Sequence, residues 1–137
     1  MEMERLPISK ITVDSKIQSR EYINKEVVAE YEKAFMGKKY IKKLPGLVEG
    51  HAYHLYVVEF HNRNQLIGYL RERNIMAQVH YIPVHFMPYY RQFGWKEGDL
   101  PIAETYYEGC LSLPVYPSLE KEEQGYVIDS IDSFYCS

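Results

Sequence analysis

The segment AYHLYVVEF, residues 52–60, constrains the fold of this chain more than any other stretch. It is dense in aromatic and β-branched residues, and apolar side chains fall on both faces of the extended chain. Such a pattern is typical of a strand in the middle of a sheet, with other elements packed against it. At 137 residues the chain has single-domain length and can bury a sizeable core.

Helical spacing of apolar residues appears on both sides of this strand. A first helix is predicted over 17–35 and ends at Gly37, and a second begins after the N-cap Asn62 and ends at Asn74. Pro101 favours the start of a helix that runs to about residue 109, and Ser118 is predicted to cap a last helix. The predicted apolar stripes comprise Ile23, Val27, Tyr31 and Ala34; Leu66, Ile67 and Leu70; and Val127, Ile131, Phe134 and Tyr135.

Two further segments have strand character. IMAQVHY, 75–81, alternates so that Met76, Gln78 and His80 share one face, and CLSLPVYP, 110–117, is a predicted edge strand bounded by prolines. Strands that alternate with helices in this order predict an α/β (α+β) two-layer sandwich, with a small three- to four-stranded sheet covered by helices on one face. The other face would be left to solvent or to a partner.

Charge and hydropathy exclude some classes of function. The net charge is −3 and the isoelectric point about 6.0, which argues against a nucleic-acid binder. The basic run 38–43 is predicted to be a solvated turn, with contact to a phosphate-bearing ligand as the alternative. No apolar run approaches the roughly 18 residues of a membrane helix, and the N-terminus has no signal-like apolar core. A cytoplasmic protein without membrane contact is therefore predicted.

The 5 histidines raise a metal hypothesis, which their spacing does not favour. His80 and His85 stand on either side of a proline, and His51 has no companion zinc motif. The two cysteines lie in no CxxC motif, so free thiols are predicted, with Cys110 a small core residue of ordinary or raised pKa. No catalytic residue and no metal ligand is predicted from these residues.

His80, Tyr81 and His85 form the strongest candidate site. They follow the end of a predicted strand, where α/β domains often place functional groups, and Pro83 stiffens the loop. The alternative is that both histidines satisfy buried backbone groups. The excess of 14 tyrosines likewise fits either aromatic packing in a sheet or pockets for polar ligands.

Ordered motifs along nearly the whole chain carry a family resemblance. HLYVVEF, LRERNIMAQVHYIPVH, YYRQFGW, LPIAETYYEGCLSLPVYPSL and EEQGYVIDSI resemble the C-terminal part of the DegT/StrS sugar aminotransferases. Members of that family are fold-type I enzymes that use pyridoxal phosphate and act on nucleotide-linked keto sugars. The resemblance implies a linking helix over 1–40 and the family's small domain over 41–137, in an enzyme of polysaccharide or glycan biosynthesis.

The same resemblance implies what this chain contributes and what it lacks. In the family, a large domain carries the Schiff-base lysine and holds the cofactor, and no matching segment is found here. The chain alone is therefore expected to be a truncated or split portion that neither binds pyridoxal phosphate tightly nor transaminates. The implied substrate-binding residues are His80, Tyr81 and His85, with His54 and Tyr56 as weaker candidates. The implied partners are a nucleotide sugar and a lysine-bearing large domain or a homo-oligomer partner.

Two other classes of function stay open. One is a stand-alone binding or interaction module that docks on a separately encoded large domain or self-associates through an uncovered sheet face. The other is an unrelated small metalloprotein built on the histidines.

Overall fold

The computed structural model describes the backbone of residues 19–137 and the side chains from residue 24 onward. The start of the first predicted helix and the side chain of Ile23 lie outside these described residues. The elements, in chain order, are α1 (Ser19–Phe35), β1 (Ile41–Lys43), β2 (Tyr56–Phe60), α2 (Arg63–Glu72), a 3-10 helix (Val84–Phe86), α3 (Pro88–Arg91), α4 (Pro101–Gly109), β3 (Cys110–Leu113) and α5 (Lys121–Cys136). This is the predicted α+β class.

The sheet is antiparallel and has the order β1-β2-β3. The central position predicted for 52–60 is confirmed, although only its second half, β2, is extended. The edge position predicted for 110–117 is also confirmed, because β3 ends immediately before Pro114. The basic run 38–43 is not only a turn, since Ile41–Lys43 pairs with β2 as an exposed edge strand with a register shift.

The strand predicted over 75–81 is wrong. Only Gln78 pairs with the sheet, in an isolated bridge to Ser112 whose two backbone hydrogen bonds measure 3.1 and 2.7 Å. In this antiparallel register the next hydrogen-bonded pair would place Met76 opposite Pro114, and proline has no N–H to donate. The ladder therefore cannot extend from Gln78 toward Met76.

Helices α1, α2 and α5 bury their apolar residues against one face of the sheet. Tyr31 of α1 stacks on Tyr56 of β2 with ring centroids 5.2 Å apart, and Phe35 packs edge-on to Phe60 at 6.1 Å. Of the predicted stripe of α1, Val27 and Tyr31 are buried and Ala34 is only half-buried. Aromatic pairing across the core thus accounts for part of the tyrosine excess.

The ends of the helices follow the predictions only in part. Gly37 and Asn74 have φ of 75° and 59°, as expected of residues that end a helix in the left-handed conformation. Asn62 holds the N-cap position of α2, but its own φ is 53° and its side chain makes no capping bond. The Ser118 cap is wrong: α5 begins at Lys121, and the carboxylate of Glu123 accepts the backbone N–H of the N-cap Glu120 at 3.0 Å.

Candidate functional site

His80 is tied to the edge strand of the sheet. Its ring is half-buried, and its Nδ1 lies 2.8 Å from Oγ of Ser112, two residues after the bridge that pairs Gln78 with the same serine. Ser112 pairs with Val57 of β2, so both lie on the sheet face opposite to Tyr56 and the core. His80 therefore lies on the second face of the sheet, as the alternation of 75–81 predicts.

Tyr81 lies beside His80 and points into solvent. Its side chain is 72% exposed, and its ring meets the His80 ring edge-on with centroids 4.8 Å apart. The peptide bond between these two residues is cis. The pair combines an exposed phenol with an imidazole whose Nε2 has no hydrogen-bond partner among the described side chains, and both groups can hydrogen bond to oxygen-rich ligands.

His85 has a different environment. It is 4% exposed, and its Nε2 donates to Oε1 of Glu104 at 2.7 Å. The same carboxylate accepts the backbone N–H groups of Gly98 at 2.9 Å and Leu100 at 3.2 Å. The hydrogen bond from His85, followed by those from the two amides, holds the pKa of Glu104 below its usual value. His85 is thus buried and hydrogen-bonded, as the alternative interpretation predicts, but its partner is a side-chain carboxylate and not a backbone group.

The structure separates the remaining predicted site residues. His54 is exposed, whereas Tyr56 has no exposed surface and donates its hydroxyl to Glu32 at 3.0 Å. Burial and the neighbouring Glu32 raise the pKa of Tyr56, so that phenol stays protonated. Within the described chain, no hydrogen bond or ring contact joins His54 or Tyr56 to His80.

Exposed apolar side chains are frequent between residues 81 and 102, and we call this set the aromatic rim. Tyr89 and Phe93 are each 65% exposed, and their rings pack edge-on at 5.4 Å. Exposed apolar patches of this kind mark interaction surfaces. The cluster YYRQFGW carried this signal in the sequence, but the prediction confined itself to the polar groups. The rim comprises Tyr81, Ile82, Val84, Met87, Tyr89, Tyr90, Phe93, Trp95, Leu100 and Ile102.

An apolar groove of about 780 Å³ lies elsewhere, between the end of α2, the segment after β3 and the start of α5. Met76, Tyr116 and Tyr126 line it, and none of the predicted site residues does. Its lining contains the carboxylates of Glu122 and Glu123 but no cysteine, histidine or lysine.

Neither thiol nor metal chemistry is organised in the part of the chain that the structure describes. Cys110 and Cys136 are free, and burial raises the pKa of the Cys110 thiol. Over residues 24–137, no group of three or more His, Cys, Asp or Glu side chains is arranged to hold a metal ion. Between residues 19 and 137 no helix has the length and apolar character that crossing a membrane requires.

Comparison with known proteins decides the family. The model of the DegT/DnrJ/EryC1/StrS aminotransferase family matches residues 12–132. The chain belongs to this family. The resemblance seen in the sequence motifs is thereby confirmed for most of the chain.

Relatives of this DegT/DnrJ/EryC1/StrS member are much longer than it is. The spore coat polysaccharide biosynthesis protein SpsC of Bacillus subtilis is 40% identical over 121 residues, which are 77% of this chain and 30% of that protein. The dTDP-3-amino-3,4,6-trideoxy-alpha-D-glucose transaminase of Streptomyces venezuelae is 39% identical over 58% of this chain and 21% of its own length. The chain thus spans about a third or less of such relatives.

Solved structures of the family contain the same fold as part of a larger chain. Streptomyces venezuelae DesV, in complex with a ketimine intermediate, superposes with a TM-score of 0.78 at 32% identity, over 88% of this chain and 33% of DesV. The putative sugar aminotransferase Spr1654 of Streptococcus pneumoniae, in its PMP form, superposes with a TM-score of 0.76 at 27% identity, over 84% of this chain and 30% of that one.

Proposed function

We propose that this chain is the small-domain portion of a pyridoxal-phosphate-dependent aminotransferase that aminates a nucleotide-linked keto sugar. One observation carries the proposal: the family match runs over residues 12–132, yet the same region is only 30% of SpsC and 33% of DesV. The name of SpsC supports polysaccharide biosynthesis as the setting. By this proposal residues 1–40 link to the large domain and 41–137 are the small domain.

The residues described here do not fit the cofactor. A Schiff-base lysine needs a shielded pocket that lowers its pKa, but every lysine from Lys25 to Lys121 is exposed. Among the described side chains, the buried arginine is Arg63, which donates to the carbonyl oxygen of Tyr107 and lies over the Tyr107 ring. We therefore assign the cofactor and the proton-transferring lysine to another domain, whether it lies on a separate polypeptide or elsewhere in a longer protein.

The His80 loop would supply one wall of the substrate pocket. His80 and Tyr81 offer two hydrogen-bonding groups side by side, and a nucleotide sugar is rich in phosphate and hydroxyl oxygens. His85 would fix the shape of the loop through its hydrogen bond to Glu104. Tyr56 would support the sheet from the core side through its hydrogen bond to Glu32. His54 is exposed and free to reach a ligand beside the sheet. One wall of this kind leaves a ligand largely solvated, so the isolated chain would bind it weakly.

The aromatic rim supports docking on the lysine-bearing domain. Tyr81, a member of the rim, contacts the ring of His80, so a large domain that closes the pocket over His80 would approach the rim. Burying the rim side chains would release about 25 cal/mol for each Å² of apolar surface. The second candidate function is a stand-alone module that docks on a separate domain through the same rim.

Absorbance and co-purification test the proposal. The purified chain, mixed with pyridoxal phosphate and dialysed, should retain no yellow absorbance of an internal aldimine. Co-expression with the lysine-bearing domain from the same genome should give a complex that retains the colour and converts a UDP- or dTDP-linked keto sugar. Colour that survives dialysis of the chain alone would overturn the assignment of the lysine to another domain.

Variants of the rim sharpen this test. Phe93→Ser should weaken co-purification by roughly tenfold or more, whereas Tyr126→Ser removes a comparably exposed aromatic ring from the apolar groove, which shares no lining residue with the rim, and should leave it unchanged. Equal effects of the two variants would show that the rim is not the docking surface.

A further inference from the structure

Ser112 occupies an unusual position for a polar residue. It lies in the middle of β3, is 5% exposed, and has its backbone bonded to Gln78. Its hydroxyl has one hydrogen-bond partner among the described residues, Nδ1 of His80 at 2.8 Å. Leu111 and Leu113 on either side of it face the core, whereas the Ser112 hydroxyl lies on the opposite face of the sheet.

The direction of this hydrogen bond follows from burial. A hydroxyl can donate or accept, and a buried O–H that finds no acceptor costs about 1–3 kcal/mol. Nδ1 of His80 is the acceptor within reach, so the Ser112 hydroxyl donates to it. A nitrogen that accepts carries no proton, and the single proton of a neutral imidazole is then on Nε2.

We infer that Ser112 is a positioning residue that fixes His80 in the Nε2–H tautomer and directs that N–H away from the sheet. Nε2 makes no hydrogen bond within the described part of the chain, so it is available as a donor. The role of this N–H rests on the proposed function: it donates to a phosphate or hydroxyl oxygen of the nucleotide sugar. The backbone bridge at Gln78 and the hydroxyl contact at His80 together align the loop with β3.

A serine–histidine hydrogen bond also occurs in hydrolases, where Nε2 of the histidine activates the serine, but here the contact is through Nδ1 and that role does not fit. Ser112 is too buried for a substrate to reach its oxygen. Among the described side chains, no carboxylate bonds the other nitrogen of His80, as the orienting acid of such a triad does. The serine thus serves the histidine, and not the reverse.

Nitrogen NMR of the chain labelled with 15N-histidine tests this inference. At about pH 9, well above the ordinary histidine pKa of about 6.5, the wild-type His80 should show an unprotonated Nδ1 and a protonated Nε2. In Ser112→Ala the two nitrogen shifts should move toward each other, because the tautomers then interchange. Ser112→Thr, which restores a hydroxyl, should restore the wild-type pattern.

Two controls make each outcome decisive. Ser130→Ala removes another buried serine, 5% exposed and located on α5, and should leave the His80 signals unchanged. If Ser112→Ala fails to fold, Ser112→Cys, whose thiol is a weaker donor, should move the two nitrogen shifts in the same direction. A protonated Nδ1 in the wild type, or identical His80 signals in wild type and Ser112→Ala, would overturn the inference. Because no ligand is present, these results stand apart from the proposed function, which fails separately if the assembled complex does not bind UDP- or dTDP-sugars.

Discussion

Nε2 of His85 lies 2.7 Å from Oε1 of Glu104, and this pair joins two segments that the chain separates by 19 positions. Because Glu104 also accepts the amides of Gly98 and Leu100, one carboxylate holds the 3-10 helix, the loop before α4 and the first turn of α4. The loop that carries His80 and the aromatic rim therefore owes part of its shape to a single acidic side chain.

This carboxylate should make the loop sensitive to acid. The folded-state pKa of Glu104 is lowered, chiefly by the hydrogen bond from His85. The stability that the Glu104 carboxylate gives to the loop is therefore complete above the ordinary carboxyl pKa of 4.5, and it is lost as the pH falls through the lowered pKa. Amide exchange protection of Gly98 and Leu100 should fall over that interval. In Glu104→Gln it should already be low at pH 7 and should lose its acid dependence. Glu108→Gln, an exposed change on the same helix, is the control. Unaltered protection in Glu104→Gln would contradict the prediction.

The buried pair of Tyr56 and Glu32 should contribute to stability. Glu32 is 8% exposed and accepts both the Tyr56 hydroxyl at 3.0 Å and the Gly46 amide at 2.9 Å. Tyr56→Phe removes one of these donors, and we expect it to lower the free energy of unfolding by about 1–3 kcal/mol. Urea unfolding measures the loss. Tyr89→Phe, at a tyrosine that is 65% exposed, should change it by less than about 0.5 kcal/mol.

The start of α5 should depend on Glu123 more than on its neighbour. Both Glu122 and Glu123 lie in the first turn, where negative charge is favourable, but only Glu123 accepts the N–H of Glu120. Glu123→Ala should cost about 0.5–1.5 kcal/mol of unfolding free energy beyond Glu122→Ala. Thermal unfolding followed by circular dichroism gives the difference. Equal losses would show that the helix dipole alone accounts for both residues.

The two thiols should react at very different rates. Cys136 is exposed, whereas burial shields Cys110 and raises its pKa, which reduces the thiolate fraction that reacts. With iodoacetamide at pH 8, mass spectrometry should find one fast modification on Cys136 and a slow one on Cys110 that appears upon unfolding in urea. The Cys136→Ser variant should show only the slow reaction. Rapid labelling of Cys110 in the folded chain would refute its burial.

Helix and strand periodicity predicted the layers of this fold because burial on one side leaves a repeating pattern in the sequence. The pattern at 52–60 and the proline after 113 placed the central and edge strands correctly. The strand prediction at 75–81 was wrong because alternation indicates which way side chains point. It does not indicate whether the neighbouring strand has a backbone N–H that can donate, and here that position is Pro114. The sequence predicted the wrong cap for α5 because Ser118 is a common N-cap residue type close to the helix start. The contact that forms is instead between the Glu123 carboxylate and the backbone N–H of Glu120.

The candidate site was predictable only in outline. The proline-bounded histidines identified the loop, but their partners, Ser112 and Glu104, come from segments far along the chain and have no local signal. Tyr56 and His54 stand two positions apart, and only the register of β2 shows that the first faces the core.

No connecting residue separates α4 from β3: one ends at Gly109 and the other begins at Cys110. A strand reverses its faces with each single-residue slip, so deleting one residue from α4 would turn Ser112 inward and Leu111 outward. The backbone at Gly109 has little room to absorb the change, since an added Cβ there would lie 3.2 Å from the carbonyl oxygen of Phe60. Natural length variation in this part of the chain should therefore collect in the exposed loop at 95–100, upstream of the rigid junction.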